Sequence, residues 1–207
     1  DEPDYLQYPN LSRVGRSVNS FLLYEAQRLF IDNNEVKYSP EQLLGGEIMA
    51  GDIKYVNQPD ANGNYDNTIN SNDRIYAGYP EVPEIVYGFG FSAQWKGLDF
   101  SVFFQGVGNV NFFTNNTYTQ PFTASSISLS NVFTDLIGKY WSESNPDPNA
   151  RYPRLTTSPN PNNSQKSTFW MVNGRYMRLK NAEIGYSLPK QVVNKLRIDG
   201  LRIYVSG

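Results

Sequence analysis

The chain has 207 residues, a formal charge of −2, no cysteine and no histidine. That excludes disulfides, thiolate and His-ligated metal sites and a Ser-His-Asp triad, and without a Lys/Arg cluster there is no nucleic-acid footprint. Charged residues are only 18% of the total and aromatics 14%, with many Asn, Gly, Pro, Ser and Tyr, a composition that points to short strands between long polar loops.

No apolar run reaches 18 residues, so strands of a β-barrel are this chain's one way to span a membrane. The opening Asp1-Glu2-Pro3-Asp4 has neither a basic nor an apolar leader character, so if the protein is exported its signal lies outside this chain. Length alone leaves open a single all-β domain or a piece of a larger one.

Residues 1–50 read as a loop-rich lead-in with short helical pieces. The spacing of Phe21, Tyr24, Leu29 and Phe30 predicts a helix within 17–31, bracketed by Gly15 and the Asn33-Asn34 pair. Pro40-Glu41-Gln42-Leu43-Leu44 reads as one helical turn, with Ser39 as its N-cap and Gly45-Gly46 as its stop.

Gly51-Asp52-Ile53-Lys54-Tyr55-Val56 predicts a short strand, and a loop dense in Asp, Asn and Gly follows it. Asp60, Asn62, Asn64, Asp66 and Asp73 place oxygen ligands at roughly alternate positions, as a calcium loop does, with Asn67 where such a loop usually has Gly. Asn tolerates the left-handed turn that position needs. The other reading is a metal-free turn held by side-chain-to-backbone hydrogen bonds. Only three carboxylates are on offer for Ca2+, which favours the second.

Residues 84–108 carry the strongest pattern. Ile85, Tyr87, Phe89, Phe91, Ala93 and Trp95 alternate with Val86, Gly88, Gly90, Ser92 and Gln94. After Lys96-Gly97, Leu98, Phe100, Val102 and Phe104 alternate with Asp99, Ser101, Phe103 and Gln105. A period of two is a strand's, and the glycine-containing break suits a tight hairpin. Each run has about the 9–11 residues that a tilted membrane strand requires. An aromatic face against an uncharged Gly/Ser/Gln face fits a strand between lipid and a polar lumen. One hairpin of an ordinary β-sandwich fits the alternation as well.

Residues 109–175 are polar and proline-rich, with an apolar stretch at 132–137 that reads as a helix running into Tyr140-Trp141. So much irregular chain suits loops with a task, as on the outer side of a barrel. Strands return at Tyr176-Met177-Arg178-Leu179-Lys180, where Ala182, Ile184, Tyr186 and Leu188 then share one side. Gln191 to Lys195 reads as a turn or short helix. Leu201-Arg202-Ile203-Tyr204-Val205 starts another alternating strand, unpaired at the end of the chain, as in a piece of a larger sheet.

Several ordered stretches resemble the C-terminal part of SusC/RagA-like TonB-dependent outer-membrane transporters of Bacteroidetes-type bacteria. They are Gly51-Asp52-Ile53-Lys54-Tyr55, Asn72-Asp73-Arg74, Tyr87-Gly88-Phe89 and Lys96-Gly97-Leu98-Asp99-Phe100-Ser101-Val102-Phe103-Phe104-Gln105-Gly106. Ala150-Arg151-Tyr152-Pro153-Arg154-Leu155, Tyr176-Met177-Arg178-Leu179-Lys180-Asn181, Ile184-Gly185-Tyr186-Ser187-Leu188-Pro189 and Leu201-Arg202-Ile203-Tyr204-Val205-Ser206-Gly207 continue the series. The resemblance covers 51–207; before that only Val14-Gly15-Arg16 matches. The long 60–73 loop departs from the family's more compact pattern, which puts an ion site there in doubt.

The resemblance implies an all-β fold: antiparallel strands of a partial transmembrane β-barrel in the outer membrane, with long extracellular loops. Residues 51–207 would supply wall and loops. It also implies energised import of oligosaccharides or peptides, a SusD-like surface lipoprotein as partner, and TonB engaged through an N-terminal part that this chain lacks. On this reading Asp99, Gln105, Arg178, Lys180 and Glu183 face the lumen. Tyr118, Tyr140, Trp141, Tyr152 and Trp170 are loop aromatics that either stack on sugar rings or anchor loops. A soluble secreted β-sandwich binding carbohydrate is the alternative. Glycoside hydrolysis would need two carboxylates, and nothing around Asp99 and Glu183 marks a catalytic pair.

Overall fold

The structure, a computed structural model, describes residues 7–115, 134–157 and 160–207. In chain order its elements are β1 (Phe21–Tyr24), β2 (Ala26–Leu29), α1 (Asn33–Tyr38), β3 (Glu41–Gln42), β4 (Ile53–Tyr55), β5 (Thr68–Ile69) and β6 (Arg74–Ala77). Then follow β7 (Ile85–Trp95), β8 (Leu98–Gly108), β9 (Asn111–Phe113), β10 (Met171–Asn173), β11 (Tyr176–Ser187), α2 (Lys190–Lys195) and β12 (Arg202–Ser206). They fall into two units. One takes the chain up to Glu81 with Asn111–Asn173, the other Val82–Val110 with Gly174–Gly207.

The second unit is one antiparallel sheet in the order β12-β11-β8-β7. Lys96 and Gly97 have φ of 47° and 87°, the two left-handed residues that a type I′ hairpin turn requires. Gly97 is also confined in space, since a Cβ there would lie 2.7 Å from the Ser187 carbonyl oxygen. β7 and β8 have 11 residues each and β11 has 12, enough to cross a hydrocarbon layer with tilt. β12 is paired with β11. Its other edge, and that of β7, carry no partner among the described residues, and the sheet does not close on itself.

The first unit is built of short strand pairs: β1 with β6, β2 with β4 and β9 with β10 antiparallel, β3 with β5 parallel. Residues 17–31 therefore hold two strands and not the expected helix. Their apolar residues find partners far along the chain, Leu23 opposite Ile75 and Leu29 opposite Ile53, and such non-local packing overrides a weak helical period. Within the expected turn at 40–44, Glu41–Gln42 form the strand β3. The helix lies just before it, and Ser39 is its C-cap.

Asp32 caps that helix, its Oδ1 accepting the Glu35 amide at 2.7 Å, so Asn33-Asn34 starts a helix and does not end one. Of the apolar stretch at 132–137, Thr134–Leu136 is a short 3-10 turn, and 132–133 lie outside the described residues. α2 is the short helix expected at 191–195.

Leu29, Ile53 and Ile69 are fully buried at the centre of this unit, with Tyr24, Tyr55, Trp141 and Trp170 around them. Beside them Asp52, also fully buried, accepts hydrogen bonds from Arg154 Nε (2.7 Å) and Nη2 (3.1 Å). Asn160 Nδ2 (3.0 Å), Asn163 Nδ2 (2.8 Å) and the Met49 amide (2.9 Å) complete its shell. A buried carboxylate survives only when paired and fully hydrogen-bonded, and here that requirement ties Arg154, Asn160 and Asn163 to the start of β4.

Candidate functional site: a sheet with two unlike faces

Residues directly opposed in an antiparallel pair project to the same face. The β7–β8 register opposes Phe89 to Phe104, Phe91 to Val102, Ala93 to Phe100 and Trp95 to Leu98. β11 continues these rows with Leu179, Ala182, Ile184 and Tyr186, and β12 with Val205 and Ile203. Every member of this face is apolar or aromatic. The Phe89 and Phe104 rings stack at 5.3 Å, and Phe91, Trp95 and Val205 are 62%, 70% and 71% exposed.

The rows of the other face read Gly88–Gln105–Arg178, Gly90–Phe103–Asn181, Ser92–Ser101–Glu183–Ser206 and Gln94–Asp99–Gly185–Tyr204. Such a division would fail halfway along β11, where Leu179 and Ala182 have opposite parity. A bulge resolves it: Leu179 opposes Phe104, Asn181 opposes Phe103, and Lys180 opposes nothing on β8. One inserted residue moves the rest of the strand to the correct side.

Asp99, Gln105, Arg178 and Glu183 thus share the polar face. Lys180 is the bulge residue and stands outside the alternation of β11. Two residues of this face were not singled out by sequence reasoning. Arg202 reaches across β11, its Nε 3.1 Å from Asp99 Oδ2 and its Nη2 bonded to both Asp99 and Glu183. Gly185 makes the crossing possible, since a Cβ there would meet Arg202 Nη2 at 2.5 Å. Phe103 is the other. Its ring lies beside Gly88 and Gly90, where a Cβ would come within 2.9 and 3.2 Å of it. A signal existed in each case: Arg202 alternates with Ile203, and two glycines sit opposite an aromatic.

Tyr118 lies outside the described residues. Trp141 and Trp170 are 7% and 2% exposed, so they are core side chains of the first unit and not surface platforms for a sugar ring. Trp170 Nε1 donates to the Asn163 carbonyl at 2.7 Å, and the Trp141 ring fills space that any side chain at Gly51 would occupy. Tyr140 and Tyr152 are half-buried and joined by a β-bridge, with the Trp141 amide donating to the Tyr152 carbonyl at 3.0 Å. These aromatics anchor loops.

The 60–73 loop is held by its own backbone. Asp60 Oδ1 accepts the Asn62 and Asn64 amides, both at 2.8 Å, and Asp66 Oδ1 accepts the Thr68 amide at 2.9 Å. Asp73 accepts the Asn70 amide (2.7 Å) and the Gln58 amide (2.8 Å). Asn67 takes φ of 60°, the left-handed turn that its position called for. The Asn64 amide leads in holding the Asp60 carboxyl below its ordinary range, whereas burial pushes the Asp73 carboxyl up in spite of its amides. Asp60, Asp66 and Asp73, which with Asn62 and Asn64 offered the oxygens of a calcium loop, thus accept backbone amides. Their oxygens serve separate turns, and among the described residues no three acidic side chains gather to hold a cation.

No family model matches the chain. It is similar to two curated proteins of Formosa agariphila. TonB-dependent receptor P3 is 29% identical over 205 residues, 94% of this chain and 18% of that protein. TonB-dependent receptor P26 is 27% identical over 165 residues, 77% of this chain and 15% of that protein. The chain therefore spans less than a fifth of the length of either. The longer match also takes in most of residues 1–50, where the motifs are sparse.

Among solved structures, the RagAB peptide importer in its open-open state shares the fold with a TM-score of 0.61 and 21% identity, over 93% of this chain and 18% of that one. Its closed-closed state gives 0.60 and 22%, over 90% of this chain and 18% of that one. In sequence the chain is thus similar to a stretch of TonB-dependent receptors, and it shares its fold with part of the RagAB peptide importer.

Proposed function

We propose that the chain contributes wall strands and extracellular loops to a TonB-dependent importer of oligosaccharides or peptides. The observation that carries this is the sheet itself. Its apolar face is broad, aromatic and uncovered, whereas a sandwich would need a second sheet to cover it. Acyl chains are the solvent that suits such a face, and a polar lumen suits the other.

On this reading the residues from Ile85 to Trp95 and Leu98 to Phe104 hold the wall in the bilayer. The lattice of Arg202, Asp99 and Glu183 faces the interior, where each charge has a partner. The chain breaks no bonds and acts as a conduit. A SusD-like lipoprotein would cap the barrel on its outer side, and TonB would act through a part of the receptor outside this chain. The likeness to the RagAB peptide importer favours peptide cargo. Uptake of labelled oligopeptide and oligosaccharide by cells carrying the complete receptor tests this. Uptake of one of them should vanish when TonB is deleted, and TonB-independent uptake of both would contradict the reading.

A further inference from the structure

The two ends of the sheet differ in chemistry. At one end are the two-residue turn Lys96-Gly97 and the connection from β11 to β12 that contains α2. At the other end the connection from β8 to β11 runs through more than 60 residues, from Asn109 to Arg175, and Glu84 stands at the start of β7. Short turns mark the periplasmic end of an outer-membrane barrel and long loops the outer one. On the wall reading proposed above, α2 and its flanks would stand level with the headgroups of the inner-facing leaflet.

This end carries unpaired positive charge beside exposed apolar side chains. Lys96, Lys190, Lys195 and Arg197 are exposed, and none forms a salt bridge among the described residues. Asp199 is the one carboxylate between Leu188 and Leu201. Leu196 is 57% exposed, with Val192 and Ile198 also open to solvent, while Val193 alone turns inward at 1%. The Lys96 ammonium stands 4.8 Å from the centroid of the Trp95 ring, so cation and interfacial aromatic are held together at the rim of the apolar face. A headgroup layer satisfies both, taking the hydrocarbon into its acyl boundary and the cations onto phosphates.

We propose that the α2 connection, with Lys96, is a docking surface for anionic phospholipid headgroups, which fix the depth of this edge of the wall. The inference rests on the apolar face being the lipid face, and it adds a ligand class and a place for it. Charge complementarity and continuity with that face select lipid over a protein partner.

Native mass spectrometry of the complete receptor, released from mixed phosphatidylglycerol and phosphatidylcholine, tests it. The unmutated receptor should retain phosphatidylglycerol in preference, and added salt should weaken that preference. A variant with Lys190→Gln, Lys195→Gln and Arg197→Gln should lose it by roughly fivefold for each cation removed. Lys190→Arg with Lys195→Arg should keep it. No preference in the unmutated receptor, or an undiminished one in the Gln variant, overturns the proposal, as does capture of a protein partner by this surface in place of lipid. Phe91→Trp separates the two levels. Quenching of its fluorescence by brominated acyl chains without a headgroup preference refutes the docking surface alone, and absence of quenching refutes the lipid face and the docking surface together.

Discussion

The guanidinium of Arg202 lies over the α-carbon of Gly185, and through that gap it joins Asp99 on β8 to Glu183 on β11. A residue with no side chain thus lets one cation serve acids on two neighbouring strands. Gly106 is confined in a different way: a Cβ there would meet the Tyr176 carbonyl oxygen at 2.5 Å and the Tyr87 ring as well. Arginine can swing aside, but a backbone carbonyl cannot. Gly185→Ala should therefore cost under about 1 kcal/mol, the scale of a half-exposed ion pair. Gly106→Ala should cost about 1–3 kcal/mol through overpacking. Urea titration of the complete protein in bilayers should rank the two in that order.

Asp52 is the second place where one side chain bears on much of the fold. Arg154→Met would leave a fully buried carboxylate with neutral donors only, a change expected to destabilise the loop unit by about 3–5 kcal/mol. Hydrogen exchange at the β2 and β4 amides reads this directly, because their protection reports local opening.

Glu35 gives the loop unit a pH dependence. Burial works to raise its pKa, but hydrogen bonds from Arg28, the Ile31 amide and Lys54 outweigh it and hold the value near 2, against an ordinary 4.5. A lowered folded-state pKa means stability that is fully present above the ordinary value and is lost as pH falls toward the folded one. Protection of the α1 amides should thus decline between pH 4.5 and about 2. In Glu35→Gln protection should be lower at neutral pH and nearly flat across that interval.

Calcium should leave the 60–73 loop unchanged. A specific ion present at ~100 times its dissociation constant would add about 2.7 kcal/mol of stability. With the carboxylates of Asp60, Asp66 and Asp73 occupied by amides, the thermal midpoint in millimolar calcium should equal that in chelator.

The hairpin from Ile85 to Gly108 is legible in the sequence because its period of two persists over whole strands and its turn needs only Lys96-Gly97. Strands β1 and β2 are not, since Phe21 pairs with Ala77 and Leu29 with Ile53, and nothing local announces such partners. The same holds for Trp141 and Trp170. An aromatic in a polar, proline-rich run reads as a surface residue until Gly51 and the Asp52 cluster, a hundred positions away, are seen to enclose it. Lys180 fails for a geometric reason: alternation is countable only until a bulge shifts the count.

Neighbouring residues on opposite faces of β7 give the most direct test of the lipid-facing assignment. Gly90 is a poor control, because a Cβ there would already press on the Val102 carbonyl at 3.0 Å, whereas Ser92 stands in open register with Ser101. The measurement is the folding free energy of the complete receptor in bilayers for Phe91→Arg and for Ser92→Arg. With acyl chains against Phe91, Phe91→Arg should lose about 2–4 kcal/mol while Ser92→Arg loses well under half of that. Equal losses at the two positions would mean that no acyl chains touch Phe91, and the wall assignment would be wrong.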